Sequence, residues 1–243
     1  MTTAQQFDSV LKNGHVVDPA NDIDGRFDVG IRHGKIASVM DNINLDMADD
    51  VIDVEGQIVM PGHIDTHAHV SSVFGNDTNR AYGHAMLVES GTTTALDLAG
   101  NPTLMAEGML RRGAGLNVAS LMGLVPHSTI SEDDPRPSIV RDVIDNTKKQ
   151  GGIGVKLLGG YHPFTPEASS NVVKAANEQM AWVAFHVGTK DSGSDITGLR
   201  EVPDITENGR LHVAHINSYT RGMVDEPHEE VREALSLIEG MRS

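Results

Sequence analysis

The sequence predicts an α/β protein in which a small β unit, residues 1–58, precedes part of a (β/α) barrel, residues 59–243. Three observations predict this class. Residues 1–58 contain alternating and β-branched runs without helical periodicity. From Pro61 onward about six strand-helix units follow one another, which is typical of a parallel sheet. Candidate ligands stand at the ends of several strands, the face that carries chemistry in barrels, although a closed barrel has eight units and this one is expected to be incomplete.

The N-terminal unit is expected to consist of short strands joined by tight turns. Asn13-Gly14 separates two short apolar runs, and Asn-Gly is a strong hairpin signal. His33-Gly34 divides an alternating segment in the same way. A further β-like run spans residues 51–54, so the unit is predicted to form the first part of a small β-sandwich.

In the barrel portion, glycine and proline mark the ends of alternating strands and helices. The predicted strands span residues 59–70, 92–98, 117–125, 154–158, 182–187 and 211–216. The predicted helices span residues 79–90, 103–112, 137–150, 166–179, part of 195–208, and 226–239. No glycine-rich phosphate fingerprint follows a strand, which argues against a dinucleotide-binding sheet.

Composition excludes several classes of function. The net charge of -15 makes nucleic acid and anionic lipid unexpected partners. The chain has no cysteine, which excludes disulfides, thiolate metal sites and cysteine nucleophiles. No apolar run approaches the length that spans a bilayer, and the N-terminus lacks a secretory signal, so a cytoplasmic protein is expected.

The first barrel strand ends in His67 and His69, two residues apart. Both imidazoles of such a pair point to one face of an extended strand and can bind one ion. Neutral imidazole suits zinc, nickel, copper and iron. A solvent-facing strand is the plainer interpretation of an isolated His-x-His. Here three later strands also end in candidate ligands, which favours a metal site; these are Lys156, His186 and His215.

A lysine is an unusual ligand, because an ammonium group has no lone pair. Lys156 lies in the apolar segment GIGVKLLGG, where a charge is poorly solvated. One interpretation is that the ammonium reaches water from the strand end. The other is that Lys156 belongs to the same site as the four histidines, since it stands in register with them at a strand end.

Together, the five ligand positions in this order resemble the amidohydrolase superfamily, in the branch of hydantoinases, dihydroorotases and D-aminoacylases. The resemblance covers almost the whole chain and implies a (β/α)8 TIM-type metal-dependent hydrolase barrel. It also implies two divalent metal ions, zinc being the expected metal, joined by a carbamate on Lys156. In this arrangement His67 and His69 hold one ion, and His186 and His215 hold the other.

The resemblance implies hydrolysis of a non-peptide C–N bond in a cyclic amide, a ureide or an N-acyl amino acid, by a hydroxide that bridges the metals. Tyr161 is then expected to be the catalytic residue that stabilises the oxyanion, the alternative being a packing aromatic. Asn217 and Arg221 are expected to bind a substrate carboxylate or carbonyl, since arginine favours bidentate contacts. A helix-cap or salt-bridge role is the alternative for both.

One departure from the family pattern concerns an aspartate at the end of strand eight, which binds metal and shuttles a proton. No such strand is predicted, and Asp191, Asp195 and Asp204 come too early in the chain. The chain is therefore expected to be a fragment, or to need a homo-oligomer or a partner chain that supplies the missing strands. Otherwise the expected partner is a small-molecule substrate.

Two other functions stay open at this point. The chain could be a metal-binding but non-catalytic fragment or subunit, which the absent aspartate would permit. It could also use a single metal, as related deaminases do, with an unmodified Lys156.

Two further histidines, His63 and His212, are expected to point away from the ligand face by strand alternation. Asp97 and Asn101 end the second strand without an assigned role.

Overall fold

The computed structural model describes residues 7–70 and 82–241, with the side chains of the second range described from residue 84. The chain divides into two compact units, Met1–Gly62 and His63–Ser243. Within the described ranges, no helix is long and apolar enough to cross a membrane. The expected cytoplasmic location stays a prediction.

The first unit is a mixed five-stranded sheet built around its first strand. This central strand, β1, is antiparallel to β2 and parallel to β4 and β5, and β2 pairs in turn with β3. The strands are Phe7–Asp18 (β1), Ile23–Arg32 (β2), Lys35–Met40 (β3), Ala48–Asp53 (β4) and Ile58–Val59 (β5). The buried apolar cluster of this unit consists of Phe7, Val10 and Ile43.

The predicted hairpin at Asn13-Gly14 is wrong. β1 continues through these residues, and its register with β2 shifts between Leu11 and Gly14, as in a β-bulge. Asn13 has a φ of 67°, the left-handed conformation that favours a turn, but here its backbone N–H donates to Asp28 Oδ1 at 2.9 Å. The Asn-Gly preference for positive φ therefore produces a bulge, because strands on both sides of β1 keep it extended.

The turn at His33-Gly34 is confirmed. These two residues have φ values of 52° and 70° and connect β2 to β3. Positive φ at both central positions matches the right-handed twist of the flanking strands, which is why such turns suit short hairpins.

Asp28 is the polar centre of the first unit. Its carboxylate is 2% exposed and accepts hydrogen bonds from Lys12 Nζ at 2.5 Å and from the backbone N–H of Asn13 and Ile43. Burial opposes ionisation of this carboxyl, but the three donors outweigh it and lower the pKa of Asp28. The charged carboxylate therefore ties β1, β2 and the segment after β3 together.

The second unit is a parallel half-barrel of six strands, each paired with the next along the chain. The strands are His63–Ala68 (β6), Thr92–Asp97 (β7), Asn117–Gly123 (β8), Gly154–Leu158 (β9), Trp182–His186 (β10) and His212–Val213 (β11). The helices are Tyr82–Glu89 (α1), Pro102–Arg112 (α2), Pro137–Lys149 (α3), Pro166–Glu178 (α4), Ile196–Thr206 (α5) and Pro227–Gly240 (α6). The predicted alternation of strands and helices is confirmed.

Most predicted bounds agree with the structure to within a few residues, and those of β9 agree fully. The predicted start of the first helix at residue 79 lies outside the described residues. The last strand is shorter than predicted, with two residues instead of the span 211–216. His215 adopts a φ of 32° and begins a 3-10 helix, Ile216–Tyr219, so the extended backbone ends before it.

Two faces of the half-barrel sheet carry different apolar clusters. The larger cluster joins one face of the sheet to helices α3 to α6, and it includes Val183 and Phe185 of β10. Ala184, which lies between them and so points to the opposite face, belongs to a smaller cluster with Leu98 and Leu121. Lys156 pairs with Ala184 in the β9–β10 ladder, so side chains of this smaller face surround it.

Candidate active site

The carboxyl ends of the parallel strands bring the five predicted ligands together. Lys156 Nζ lies 3.2 Å from His67 Nε2, which in turn lies 3.2 Å from His69 Nε2. The ring centroid of His215 lies 4.9 Å from that of His67 and 4.5 Å from that of His186. The five side chains therefore form one continuous cluster, referred to below as the histidine–lysine cluster.

Consecutive glycines after β9 allow this close approach of strand ends. A Cβ on Gly159 would overlap the carbonyl oxygen of Gly188, which follows β10. A Cβ on Gly160 would overlap His186 Nε2. Both positions need glycine because of the space that the neighbouring strand end occupies, and not because of backbone conformation.

The imidazoles of the cluster are held in the neutral form. Burial, followed by the charge of Lys156, lowers the pKa of His67 to about 3. Burial, followed by His215 and Lys156, lowers the pKa of His186 to about 4. Burial also lowers the pKa of His69 and of His215. A neutral imidazole keeps a lone pair on one nitrogen, which is the form that binds a metal ion.

Lys156 is buried at the centre of this arrangement, with 1% of its surface exposed. Burial lowers the pKa of Lys156 from 10.5 to about 8, and the charge of Asp97 opposes this effect. Part of the amine is therefore unprotonated near neutral pH. The unprotonated amine is the form that can react with carbon dioxide.

Two carboxylates anchor the strand end that carries His67 and His69. Asp65 Oδ1 accepts a hydrogen bond from the backbone N–H of His67 at 2.9 Å. Asp97, which is fully buried, accepts from the backbone N–H of Val70 at 3.0 Å and thereby ties the end of β6 to β7. Its charge also opposes the effect of burial on the pKa of His69. This is a role that the sequence alone did not assign to Asp97.

The remaining predicted site residues lie around the cluster with different degrees of contact. The Tyr161 side chain is 59% exposed, and its ring centroid lies 5.1 Å from that of His186. Arg221 is exposed, donates to Ser218 Oγ at 3.2 Å, and contributes to the lowered pKa of His186. Asn217 is exposed on the 3-10 helix, and among the described residues no hydrogen bond joins it to the histidines.

Tyr219 is a site residue that the sequence did not reveal. It is 1% exposed, and its hydroxyl accepts a hydrogen bond from Val187 N–H at 2.8 Å. Its ring centroid lies 5.9 Å from that of His186 and 5.6 Å from that of His215. Burial raises the pKa of Tyr219, so it stays protonated and supports the two imidazoles. Its position in an irregular helix gave no periodic signal.

The prediction that His212 points away from the ligand face is wrong. Its ring centroid lies 6.2 Å from that of His67. The prediction assumed that side-chain directions alternate from His215 back to His212, which holds only where the backbone is extended. The left-handed conformation of His215 interrupts the extended backbone, so this alternation does not apply. Burial, followed by Lys156, lowers the pKa of His212, as it does for the predicted ligands.

The side chains of the histidine–lysine cluster meet part of what a divalent metal ion requires of its ligands. Among residues 7–70 and 82–241, no group of three or more His, Cys, Asp or Glu side chains is placed to hold an ion. The 3.2 Å between His67 Nε2 and His69 Nε2, however, is close to the ~3.3 Å expected of two imidazoles that bind one zinc tetrahedrally. His215 Nδ1 is buried without a hydrogen-bond partner in the described part of the chain. A buried polar atom without a partner costs free energy, and a ligand bound to this nitrogen would remove that cost.

Comparison with known sequences identifies relatives that are longer than this chain. A dihydroorotase of Elusimicrobium minutum is 36% identical over 125 residues, which cover 48% of this chain and 28% of the relative. An allantoinase of Bacillus licheniformis is 34% identical over 133 residues, with 49% and 28% covered. The matched part therefore spans less than a third of these curated relatives. No family model matches the chain.

Comparison with solved structures identifies the fold. An N-acyl-D-glutamate deacylase from Bordetella bronchiseptica, complexed with zinc and a phosphonate inhibitor, superposes with a TM-score of 0.73 at 18% identity, covering 98% of this chain and 56% of that one. An L-hydantoinase from Arthrobacter aurescens gives 0.61 at 17%, with 97% and 57% covered. The formyltransferase/hydrolase complex FhcABCD from Methylorubrum extorquens gives 0.70 at 19%, with 96% and 53% covered.

The parallel half-barrel that follows a sheet unit in the chain has the fold class of amidohydrolase TIM barrels, the class of the deacylase and hydantoinase structures. The sequence matches and the structural likeness together support the resemblance to the amidohydrolase superfamily, in the branch of hydantoinases and aminoacylases. The predicted fold class is confirmed, and so is the family resemblance that the order of the candidate ligands indicated.

Proposed function

We propose that this chain carries the metal site of a hydrolase that cleaves C–N bonds of cyclic amides, ureides or N-acyl amino acids. The observation that carries the proposal is the histidine–lysine cluster, in which neutral imidazoles surround a buried lysine at the carboxyl ends of parallel strands. Curated relatives named dihydroorotase and allantoinase support the reaction class.

Each member of the cluster has a proposed role. His67 and His69 would hold one divalent ion, and His186 and His215 a second. Lys156, as a carbamate, would join them with anionic oxygens. Imidazole ligands without thiolates make zinc the expected metal. When bound, the ions would polarise the scissile carbonyl and activate water near neutral pH.

The other proposed residues would act on the substrate. The Tyr161 hydroxyl would donate a hydrogen bond to the carbonyl oxygen as this oxygen gains negative charge. Arg221 would bind a carboxylate of the substrate through its guanidinium, and Asn217 would bind a carbonyl. The exposure of all three is consistent with a substrate that reaches the cluster from solvent. Tyr219 would keep the imidazoles of His186 and His215 in place.

The proposal is tested with Lys156→Ala and a matched control, Lys174→Ala, which removes an exposed lysine on α4. Purified, zinc-supplemented protein is assayed for metal content and for hydrolysis of hydantoin, dihydroorotate and N-acyl amino acids. We expect about two ions per wild-type chain and the loss of both turnover and one ion in Lys156→Ala, because the bridging ligand is absent. The control is expected to match wild type. Undiminished turnover of Lys156→Ala would refute the proposal.

A second candidate function is a metal-binding subunit that is not catalytic by itself. The likeness to a chain of the FhcABCD complex favours an assembly, since that protein is a complex of several subunits. Hydrolysis by this chain without any partner would exclude this candidate, and hydrolysis that appears only after a partner chain is added would support it.

A further inference from the structure

Ser194 contacts the ring of a proposed metal ligand, although none of the roles above involves it. Ser194 Oγ lies 2.8 Å from His186 Nε2. Both side chains are partly buried, and the two residues lie at opposite ends of the segment that joins β10 to α5. The contact therefore joins the end of a strand to the loop that follows it.

The Nε2 edge of the His186 ring is enclosed on a second side by Gly160. A Cβ at Gly160 would overlap Nε2 and would lie 2.8 Å from Cδ2 and 3.2 Å from Ser194 Oγ. The backbone of the β9 loop and the Ser194 hydroxyl therefore occupy the space next to Nε2. An ion bound to His186 would then have to use the other ring nitrogen, Nδ1.

The two nitrogens of a neutral imidazole have different capacities, because one carries the proton and the other carries the lone pair. With the proton on Nε2, this nitrogen donates to Ser194 Oγ, and Nδ1 is free to bind an ion. With the proton on Nδ1, the ring could not bind an ion through that atom. Ligating histidines commonly donate their second N–H to a fixed acceptor, which sets both the tautomer and the ring orientation.

We infer that Ser194 is a positioning residue that accepts the Nε2 proton of His186 and thereby presents the Nδ1 lone pair to the histidine–lysine cluster. The inference rests on the proposed metal role of His186. It makes a statement about the metal-free protein, however, since the tautomer exists before any ion binds. Ser194 itself touches neither metal nor substrate in this role.

The loop after β10 is built to keep Ser194 in place. Glu201 on α5 accepts hydrogen bonds from Thr189 Oγ1 at 2.9 Å and from Ser192 Oγ at 2.7 Å. On the other side of Ser194, Asp195 caps α5 by accepting from the backbone N–H of Thr197 at 2.8 Å. The residues on both sides of Ser194 are therefore fixed to the same helix, which restricts the position of its hydroxyl.

The experiment measures the His186 tautomer in metal-free protein with ¹⁵N-labelled histidine, using two-bond ¹H–¹⁵N correlation spectra assigned with His186→Asn. We expect the Nε2–H form in wild type and in Ser194→Thr, which keeps a hydroxyl. In Ser194→Ala we expect a mixture of tautomers and about a 10- to 100-fold weaker affinity for zinc at the His186 site. Ser236→Ala, on the exposed side of α6, is the control and should match wild type.

A wild-type ring protonated on Nδ1 would overturn the inference, as would an unchanged tautomer and zinc affinity in folded Ser194→Ala. Thermal unfolding of each variant establishes that it is folded. If wild type shows the Nε2–H tautomer that Ser194→Ala loses, yet binds no zinc, the positioning by Ser194 stands and the proposed metal function fails. The two failures are therefore distinguishable.

Discussion

Replacement of Gly160 by alanine should displace His186 while every side chain of the histidine–lysine cluster stays present. The added Cβ would overlap His186 Nε2 and lie 2.8 Å from its Cδ2. Carbon atoms in contact rest about 3.5–4.0 Å apart, so the ring has to move by roughly 1 Å, or the β9 loop has to shift by a similar distance. We expect the affinity of the His186 site for zinc to fall about 10- to 100-fold, the range found when the support of a ligand is removed.

Calorimetric titration of metal-free Gly160→Ala with zinc measures this change, with thermal unfolding as the check on folding. The matched control is Gly240→Ala at the end of α6, where a Cβ meets no atom within 4 Å. The control is expected to bind zinc like wild type. Wild-type zinc affinity in folded Gly160→Ala would contradict this prediction, since it would mean that the position of His186 does not depend on the space beside Gly160.

Three further predictions concern charge and hydrogen bonding. In metal-free, carbon-dioxide-free buffer, Lys156→Met should be more stable than wild type at pH 7 by about 3 kcal/mol, because the folded state lowers the lysine pKa from 10.5 to about 8. Between these pH values the unfolded wild-type chain binds more protons than the folded chain, so the difference in unfolding free energy between Lys156→Met and wild type should shrink from pH 8 to 10.5. Urea titrations that give the same difference at both of these pH values would contradict this prediction. Asp28→Ala should destabilise the first unit by about 3–5 kcal/mol in urea unfolding, because Lys12 and two N–H groups lose their buried acceptor, whereas exposed Asp49→Ala should be near neutral. Tyr161→Phe should lower kcat about 100-fold with little change in metal content, and an unchanged kcat would exclude Tyr161 from oxyanion binding.

Much of the fold follows from local signals in the sequence. Apolar runs bounded by glycine and proline define β9, β10 and their neighbours, because a parallel sheet covered by helices leaves little ambiguity about such runs. That the candidate ligands lie close together could be predicted for a related reason. The carboxyl ends of parallel strands meet at one edge, so residues as distant in sequence as His67 and Lys156 come to lie 3.2 Å apart.

Features that depend on contacts between distant segments could not be predicted in this way. Asn13-Gly14 has the local preference of a turn, but the strands that pair on both sides of β1 make it a bulge. The left-handed conformation of His215 has no signal in the surrounding residues, and it changes the orientation expected for His212. The contact between Ser194 and His186 depends on the conformation of the loop that follows β10, which no periodic pattern in the sequence specifies.

The metal content of the purified chain after incubation with zinc and bicarbonate shows whether the histidine–lysine cluster binds metal ions. Removal of loosely bound zinc by gel filtration, followed by mass spectrometric metal analysis, gives the number of ions per chain. We expect about two ions per chain and about one in Lys156→Ala, because the proposed carbamate on Lys156 would be the group that joins the two imidazole pairs. Essentially no zinc on the folded wild-type chain would contradict the claim that these five residues form a metal site.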